Sequence, residues 1–359
     1  MEQQNKKRKR NEDPTTARQE ILSPIIFLAR GVKADTRFTV FRQEFHLHSS
    51  GLKHHSSYFR TFLDSVDKQP ASASALFKYD YRSVVDEDGS WALMPVSDSS
   101  EITGQQMTLV DGVKEETEAL RKLLCAIHSK KYRIETADEL KRLTCLADYY
   151  CALPVVSGTL TGALFRSSMF QFLAPRYDAA VECECHDESV SLLLLARKLR
   201  HGLLFRECLI HTVGRWDSLS DIEKRQIEED QSLYTLVQIK LKVLYELLAK
   251  TQGALLWAVV EGKFKVLKTA VGRSFPTPLI GGILSVYRAL SEESSFYDLL
   301  KEVETMELSV LMFSVIKNNL ALGCSRQDPG KVGGIFEKTF LCTEIEDDEF
   351  PWDLEEIDW

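Results

Sequence analysis

Four of the chain's eight histidines lie within ten positions, in the stretch "FHLHSSGLKHHSSYF" at 45–59. Histidine is a common metal ligand and a frequent general base near neutral pH, so His46, His48, His54 and His55 raise both kinds of chemistry. A closed zinc site needs four ligands with paired spacing. The first two residues would share one face of a strand, whereas the other two are adjacent and point in different directions on a helix. The stretch therefore predicts no metal site.

A second cluster, "CECH", places Cys183, Cys185 and His186 within four positions. The Cys-x-Cys spacing is a weak metal signature, and no fourth ligand is evident nearby. We interpret this cluster as a loop before a helix that begins near Asp187.

Other sequence signatures of catalysis are missing. The chain has no Gly-x-Ser-x-Gly nucleophile elbow. Gly330-Lys331 lacks the spacing of a phosphate-binding loop, and Val332 stands where that loop carries a magnesium-binding hydroxyl. We therefore expect no catalytic, metal-ligating or cofactor-binding residues, and we favour a binding module over an enzyme.

Charge is concentrated at the two ends of the chain. Lys6, Lys7, Arg8, Lys9 and Arg10 form a run of five cations, which resembles a short nuclear-import signal. The last 16 residues carry nine acids and no Lys or Arg, so they supply more than the whole formal net charge of −8. Because the body between these ends is nearly neutral, we do not expect the protein to bind nucleic acid directly.

The sequence carries no signal for secretion or membrane insertion. Its N-terminal residues are charged and lack the apolar core of about 7–15 residues found in signal peptides. Its apolar runs are far shorter than the roughly 20 residues that span a bilayer. We therefore expect a nuclear or cytoplasmic protein, or one found in both places, whose eight cysteines stay reduced.

The β-rich segments precede position 110. "SPIIFLARG" at 23–31 predicts a short buried strand, and "RFTVFRQEFHLH" at 37–48 predicts two alternating strands separated by a turn or a bulge. The stretch 66–110 is rich in Ser and Asp and contains a segment that resembles a hairpin turning at Asp88-Gly89. We interpret 66–110 as an insertion into a smaller domain.

The pattern after this stretch is helical. Leucines at i, i+3 and i+4 with an isoleucine at i+7 predict a helix over 120–127, and Thr136 with Glu139 in capping-box positions predicts the start of the next. The pattern of the second half of the chain predicts nearly all helix, with two helices meeting at His201-Gly202.

Two blocks of sequence together resemble one known family. The first block follows the pattern aromatic-x-aliphatic-His, then Leu, then Ser-x-Tyr-Phe, and the second reads Leu-Ala-Asp-x-Tyr. The residues that carry these patterns are Phe45, Leu47, His48, Leu52, Ser56, Tyr58, Phe59, Leu146, Ala147, Asp148 and Tyr150. Their types, order and spacing resemble the BTB/POZ family, in a fungal-type member with a C-terminal helical extension. The resemblance covers about 25–165, without 66–110.

The resemblance implies an α+β BTB/POZ domain, a helical cluster with a short β-sheet, followed here by a mostly α-helical domain. We divide the chain into a disordered basic arm at 1–20, a BTB/POZ-like domain at 21–165 with the insertion at about 66–110, an α-helical extension at 166–340 and an acidic tail at 341–359. The family often has an Asp at the start of its first strand. Asp35 takes that place if the first hairpin is 36–48, and is a loop residue if 23–31 is the first strand.

The resemblance also separates the histidines. It implies that His48 is a buried or half-buried hydrogen-bonding residue at a strand-to-helix junction. We expect His46, His54 and His55 at the surface.

The function that the resemblance implies is a non-enzymatic protein–protein interaction module that self-associates as a homodimer. Some members bridge cullin-type ubiquitin ligases to their substrates, so a substrate adaptor with a cullin scaffold as partner is one expected role. The alternative is a nuclear regulatory scaffold linked to transcription, because Lys6–Arg10 resembles an import signal and the tail interleaves acids with aromatic residues. The tail could instead be a solubilising disordered end. An unrecognised enzyme is the third interpretation, and it requires titratable groups that converge in a deep cleft.

Overall fold

The computed structural model describes residues 22–65, 76–96, 110–170, 184–260 and 343–356, together with 310, 311, 314, 319–323 and 359. The protein is α+β, with a five-stranded mixed sheet and a larger helical part. It divides into two compact units, the first made of Met1–Ser50 with Leu63–Val113 and the second of Gly51–Phe62 with Lys114–Trp359. Helices on both sides of position 165, where the sequence predicted a domain boundary, therefore belong to one unit.

The first unit contains the sheet. Its strands are β1 (Ile25–Ile26), β2 (Thr36–Val40), β3 (Gln43–Leu47), β4 (Tyr79–Val85) and β5 (Trp91–Pro95), in the order β1-β3-β2-β4-β5. β2 and β3 form one antiparallel hairpin, and β4 and β5 form another. Parallel pairing joins β1 to β3 and β2 to β4. β2 is therefore the central strand, with a local partner on one side and a non-local partner on the other.

The first hairpin buries one of its two faces. Alternate residues of β2 and β3 are buried, including Phe38, Val40, Phe45 and Leu47, as the alternating pattern predicts. A turn, not a bulge, interrupts the alternation, because the register between the two strands is continuous up to Val40 and its partner. Phe41 takes a positive φ of 53° in this turn.

The second hairpin lies within 66–110, the stretch interpreted as an insertion. The chain turns at Asp88-Gly89 as predicted, with a φ of +84° at the glycine. However, β4 pairs with the central strand of the sheet, so the hairpin is part of the sheet itself. Sequence pattern cannot reveal such a pairing, because each strand alternates in the same way whichever partner it has.

The predicted buried strand at 23–31 is wrong in its length and its burial. Of this segment, Ile25–Ile26 forms a strand of the sheet, and that strand lies at the edge. Ile26 and Leu28 are exposed, and only Phe27 of this short segment is buried. An edge strand has a neighbouring strand on one side only, so a continuous apolar run does not ensure burial here.

Helices make up most of the rest of the described chain. Their bounds are α1 (Ser49–His55), α2 (Ser57–Leu63), α3 (Val113–Ile127), α4 (Ala137–Tyr149), α5 (Leu153–Leu164), α6 (Glu184–Asp187), α7 (Ser189–Lys198), α8 (Gly202–Gly214), α9 (Asp221–Glu228) and α10 (Gln231–Val260). In α3 the predicted stripe of leucines and isoleucine is buried. In the predicted "CECH" loop, Cys185 lies inside α6, whereas Cys183 lies outside the described residues.

The predicted start of α4 is confirmed with one change. The Thr136 hydroxyl accepts a hydrogen bond from the Glu139 backbone amide at 3.2 Å, as an N-cap should. The Glu139 carboxylate accepts instead from the backbone amide of Glu135, at 2.8 Å, one residue before the cap. The predicted junction at His201-Gly202 is also confirmed, since α7 ends at Lys198 and α8 begins at Gly202.

Two further sequence predictions concern the N-terminal arm and membrane insertion. The basic arm at 1–20, with Lys6–Arg10, lies outside the described residues. Among the helices that the structure does describe, none is both long and apolar enough to cross a membrane.

Candidate protein-interaction surfaces

The two sequence blocks that carry the family resemblance meet in the second unit. The Ser56 hydroxyl, between α1 and α2, donates a hydrogen bond to the carbonyl oxygen of Tyr150 at 2.5 Å. The same hydroxyl accepts from the Phe59 backbone amide at 3.0 Å. The Phe59 and Tyr150 rings are stacked, with centroids 5.0 Å apart. Leu52 is fully buried, as are the two rings, so residues of both blocks form one core cluster.

The C-terminal end of α4 supplies the second block. Ala147 is buried, Leu146 is half-buried, and the exposed Asp148 carboxylate accepts from the Lys198 ammonium at 2.6 Å. Burial raises the pKa of Tyr150 well above its ordinary value, and the neighbouring Tyr58 and Tyr149 raise it further. Tyr150 is therefore a neutral core residue near neutral pH.

An aromatic surface lies beside this cluster, and we call Tyr58, Phe62 and Tyr149 the aromatic face. The Tyr58 ring stacks on Phe62 with centroids 4.9 Å apart and lies 5.7 Å from the Tyr149 ring. Tyr149 is 51% exposed, and the other two residues are half-buried. Aromatic side chains that keep exposed area are typical anchors of protein–protein interfaces. The aromatic face is therefore the first candidate interaction surface.

The structure places the four histidines separately. His48 is buried between β3 and α1, at the strand-to-helix junction that the resemblance implied. His46 is half-buried, and His54 is exposed. The rings of the adjacent His54 and His55 are in edge contact, with centroids 4.6 Å apart. Burial, and then the neighbouring His54, lower the pKa of His55.

Within the described ranges, no group of three or more His, Cys, Asp and Glu side chains lies close enough together to hold a metal ion. The cysteines in that part of the chain carry free thiols, of which those of Cys145 and Cys151 are exposed.

Asp35 precedes the hairpin of β2 and β3. It lies immediately before β2, and its carboxylate accepts from the backbone amide of Ser49 at 2.7 Å and from the Ser49 hydroxyl at 2.5 Å. Burial alone would raise the pKa of Asp35, but these hydrogen bonds and one from Thr36 outweigh burial and lower it. The carboxylate therefore stays charged at the first turn of α1, where the helix dipole favours an anion.

The first unit has an exposed apolar edge, which we call the edge segment, residues 22–32. Four large apolar side chains on it are exposed: Leu22, Ile26, Leu28 and Val32. β1 lies within this segment and is the terminal strand of the sheet. A terminal strand presents backbone groups that can pair with another chain, so the edge segment is the second candidate interaction surface.

A charged cleft of about 200 Å³ lies between α3 and α4 in the second unit. Across it, the Lys122 ammonium pairs with Glu139 at 2.7 Å. Arg142 pairs with Glu116 at 2.7 Å and with Asp138 at 2.8 Å. The lining residues include no Ser, Thr, Cys or His. The cleft gathers titratable groups, but they bind one another and connect the two helices.

Sequence patterns did not reveal Glu207. It is 1% exposed in α8, and its carboxylate accepts from three successive backbone amides, those of Ala321, Leu322 and Gly323, at 2.8, 3.2 and 2.8 Å. Burial raises its pKa, and these hydrogen bonds act in the opposite direction. A single Glu within an apolar helix gives no local signal of a partner more than a hundred positions later.

The acidic tail is also placed by the structure. Thr343, Ile345 and Phe350 are buried, and acidic residues of the tail pair with cations of the helical unit. The prediction of a solubilising disordered end is therefore wrong for residues 343–356.

Comparison with known proteins identifies no relative. No protein family, no curated protein and no solved structure matches the chain. The family resemblance consequently depends on the two blocks of residues described above.

Proposed function

We propose that the chain is a non-enzymatic protein-interaction module of the BTB/POZ type. The observation that carries this proposal is the cluster of Ser56, Phe59 and Tyr150, in which the two blocks that resemble the family are joined by a hydrogen bond and a stacked ring pair. The short sheet and the helices that follow are compatible with the architecture that the resemblance implies. The charged cleft supports this reading over an enzyme, because the ion pairs of Lys122 and Arg142 already bind carboxylates there.

The module self-associates as a homodimer through the edge segment. Exposed Ile26 and Leu28 would be buried there, and the backbone of β1 offers hydrogen bonds to a second chain. Light scattering of the full chain at micromolar concentration should give about twice 40.9 kDa.

Replacing both residues by lysine, Ile26→Lys with Leu28→Lys, should give the monomer, because a charge at an interface core is unfavourable. Ile239→Lys, at another exposed apolar position, is the matched control and should remain dimeric. A wild-type monomer at this concentration would exclude self-association through any surface.

The proposed role of the module is that of a substrate adaptor for a cullin-type ubiquitin ligase. The aromatic face supports this role, because it presents aromatic side chains that keep exposed area for docking. Quantitative pull-down of the full chain should recover a cullin scaffold.

Tyr58→Ala with Tyr149→Ala should reduce that recovery at least about tenfold, since loss of interface anchors costs about 1–2 kcal/mol or more. Ile222→Ala, at an exposed apolar position of α9, is the control that should keep full recovery. Absence of any cullin from the wild-type pull-down would contradict the adaptor role.

A nuclear regulatory scaffold is the second proposed role, and Lys6–Arg10 is the feature that favours it. Deletion of residues 1–10 should move a fluorescent fusion of the full chain out of the nucleus. An unchanged distribution would remove the import proposal and leave the adaptor role unaffected.

A further inference from the structure

The last part of the tail packs against α8 through its aromatic residues. We call residues 346–356 with 359 the strap. The rings of Phe350 and Trp352 are stacked on each other, 4.7 Å apart, and both meet the buried Phe205 edge-on at 5.7 and 4.9 Å. Gly202 makes this approach possible, because a Cβ at that position would lie 3.1 Å from Cζ of Phe350. The N-terminal turn of α8 thus fits an aromatic pair.

Cations surround the same place. The Lys240 ammonium donates to both carboxylate oxygens of Glu349 at 2.6 Å. Arg200 pairs with Glu356 at 2.6 Å, and its guanidinium lies 4.8 Å from the ring of Trp359. Arg206 pairs with Asp347, and its guanidinium lies 4.8 Å from the ring of Phe350. We call the set Arg200, Gly202, Phe205, Arg206 and Lys240 the acid-binding groove.

Two cations of the groove are bound by carboxylates of the strap. Arg200 lies two residues after the end of α7, with a φ of +47° in the hydrogen-bonded turn that ends this helix. Its side chain reaches Glu356 and Trp359 of the strap. Lys240 is only 8% exposed, and its charge is bound by Glu349. Burial alone would raise the pKa of Glu349, but the Lys240 ammonium and the Glu346 amide outweigh burial and lower it.

The strap is more exposed than the residues before it. Thr343 and Ile345 are buried and precede the strap, whereas within the strap itself Phe350 is the buried residue among those described. The strap's remaining contacts are partly exposed ion pairs and ring contacts, which are individually weak and screened by salt. Such a segment can leave without opening the core of the unit.

We propose that the acid-binding groove recognises acidic segments of partner proteins that carry two aromatic residues separated by one position. The strap, with Phe350 and Trp352 between carboxylates, fills the groove in cis and competes with such partners. The chemistry follows from the contacts: the rings bind Phe205 beside Gly202, and the flanking carboxylates bind Arg200, Arg206 and Lys240. A partner of similar affinity would bind when its local concentration exceeds the effective concentration of the tethered strap at the groove.

The test uses the full chain and a labelled peptide with the sequence of residues 346–359. In the chain variant Phe350→Ala with Trp352→Ala, the strap loses its anchors while the groove is intact. Fluorescence anisotropy should show that this variant binds the peptide at least about tenfold more tightly than the wild type does. If the strap leaves the wild-type groove free only about a tenth of the time, the apparent affinity of the wild type for the peptide falls about tenfold. Added salt should weaken binding, and a peptide with serine at both aromatic positions should not bind.

A folded variant that fails to bind the peptide overturns the proposal, and so does equal binding by the wild type and the variant. Equal binding of the serine peptide overturns the aromatic part of the recognition. If the variant no longer unfolds cooperatively on heating, the strap is part of the core of the unit, and this result also overturns the proposal.

A second variant leaves the tail sequence unchanged. Gly202→Ala should speed hydrogen exchange in 346–356 several-fold while the melting temperature stays equal or rises, since alanine favours a helix. Gly158→Ala is the matched control in α5, where an added Cβ meets nothing within 4 Å, and it should leave strap exchange unchanged. Unchanged exchange in Gly202→Ala contradicts the proposed seat of Phe350.

Discussion

His201 should make the stability of the protein fall sharply in mild acid. It is 5% exposed and caps α8: its Nδ1 accepts from the Leu204 backbone amide at 3.2 Å, and its Nε2 lies 2.9 Å from the Thr161 hydroxyl oxygen. Because Nδ1 accepts, the proton of the neutral ring is on Nε2 and is donated to Thr161. Burial lowers the pKa of His201 to about 4, from an ordinary value of 6.5. The neutral ring is therefore part of the folded state.

The sign of the effect follows from these two values. The unfolded chain takes up a proton near pH 6.5 and the folded chain only near pH 4, so the stabilising contribution is complete above pH 6.5 and is lost as the pH falls through that range. Each pH unit of difference is worth about 1.4 kcal/mol, so the full loss is about 3 kcal/mol, and about 2 kcal/mol of it is lost by pH 5.

Urea unfolding at pH 7 and pH 5, at equal ionic strength, measures this loss. His201→Asn keeps a capping side chain but cannot titrate. Its free energy of unfolding should therefore fall by about 2 kcal/mol less than that of the wild type between the two pH values. His54→Asn, at an exposed position, controls for the loss of one histidine. Equal pH dependence of His201→Asn and the wild type would refute the assignment, as would an NMR titration of His201 near pH 6.5.

Two further substitutions test the buried hydrogen bonds. Ser56→Ala should lower the free energy of unfolding by about 1–3 kcal/mol, because the Tyr150 carbonyl loses its donor, while Ser57→Ala at the adjacent exposed position should change it by less than about 0.5 kcal/mol. Urea unfolding decides, and equal effects would show that the Ser56 bond contributes nothing. Glu207→Gln should lower the free energy of unfolding by about 1–3 kcal/mol, because the side-chain nitrogen of the glutamine is a donor and would face the backbone amides of 321–323, which are also donors. Hydrogen exchange should rise at those backbone amides. Unchanged exchange would contradict the anchoring role.

The parts of the fold that the sequence predicted depend on local patterns. The buried stripe of α3 follows the helical period, and the turn at Asp88-Gly89 follows the preference of glycine for positive φ. The alternation of β2 and β3 likewise repeats within a few residues, so it is visible without any knowledge of partners. Ser56 and Tyr150 are both singled out by the family resemblance, but their contact is seen only in the structure.

The parts that the sequence did not predict depend on distant partners. The parallel pairing of β4 with β2 leaves no mark in either strand, and Glu207 finds its amides only after the chain returns to α8. The strap has the composition of a disordered segment, with many acids and few aliphatic residues. Its order depends on Gly202 and Phe205, which no inspection of the tail itself could indicate.

The discontinuous second unit has a consequence for the protein during its synthesis. Ser56 and Tyr150 are 94 positions apart, and translation proceeds at about 5–20 residues per second. Phe59 therefore emerges from the ribosome roughly 5–20 seconds before Tyr150, whose ring stacks on it. During that interval the nascent chain exposes an apolar segment that cannot yet be buried against Tyr150. We expect this segment to be a chaperone-binding site on the ribosome and the place where slowed translation would promote aggregation.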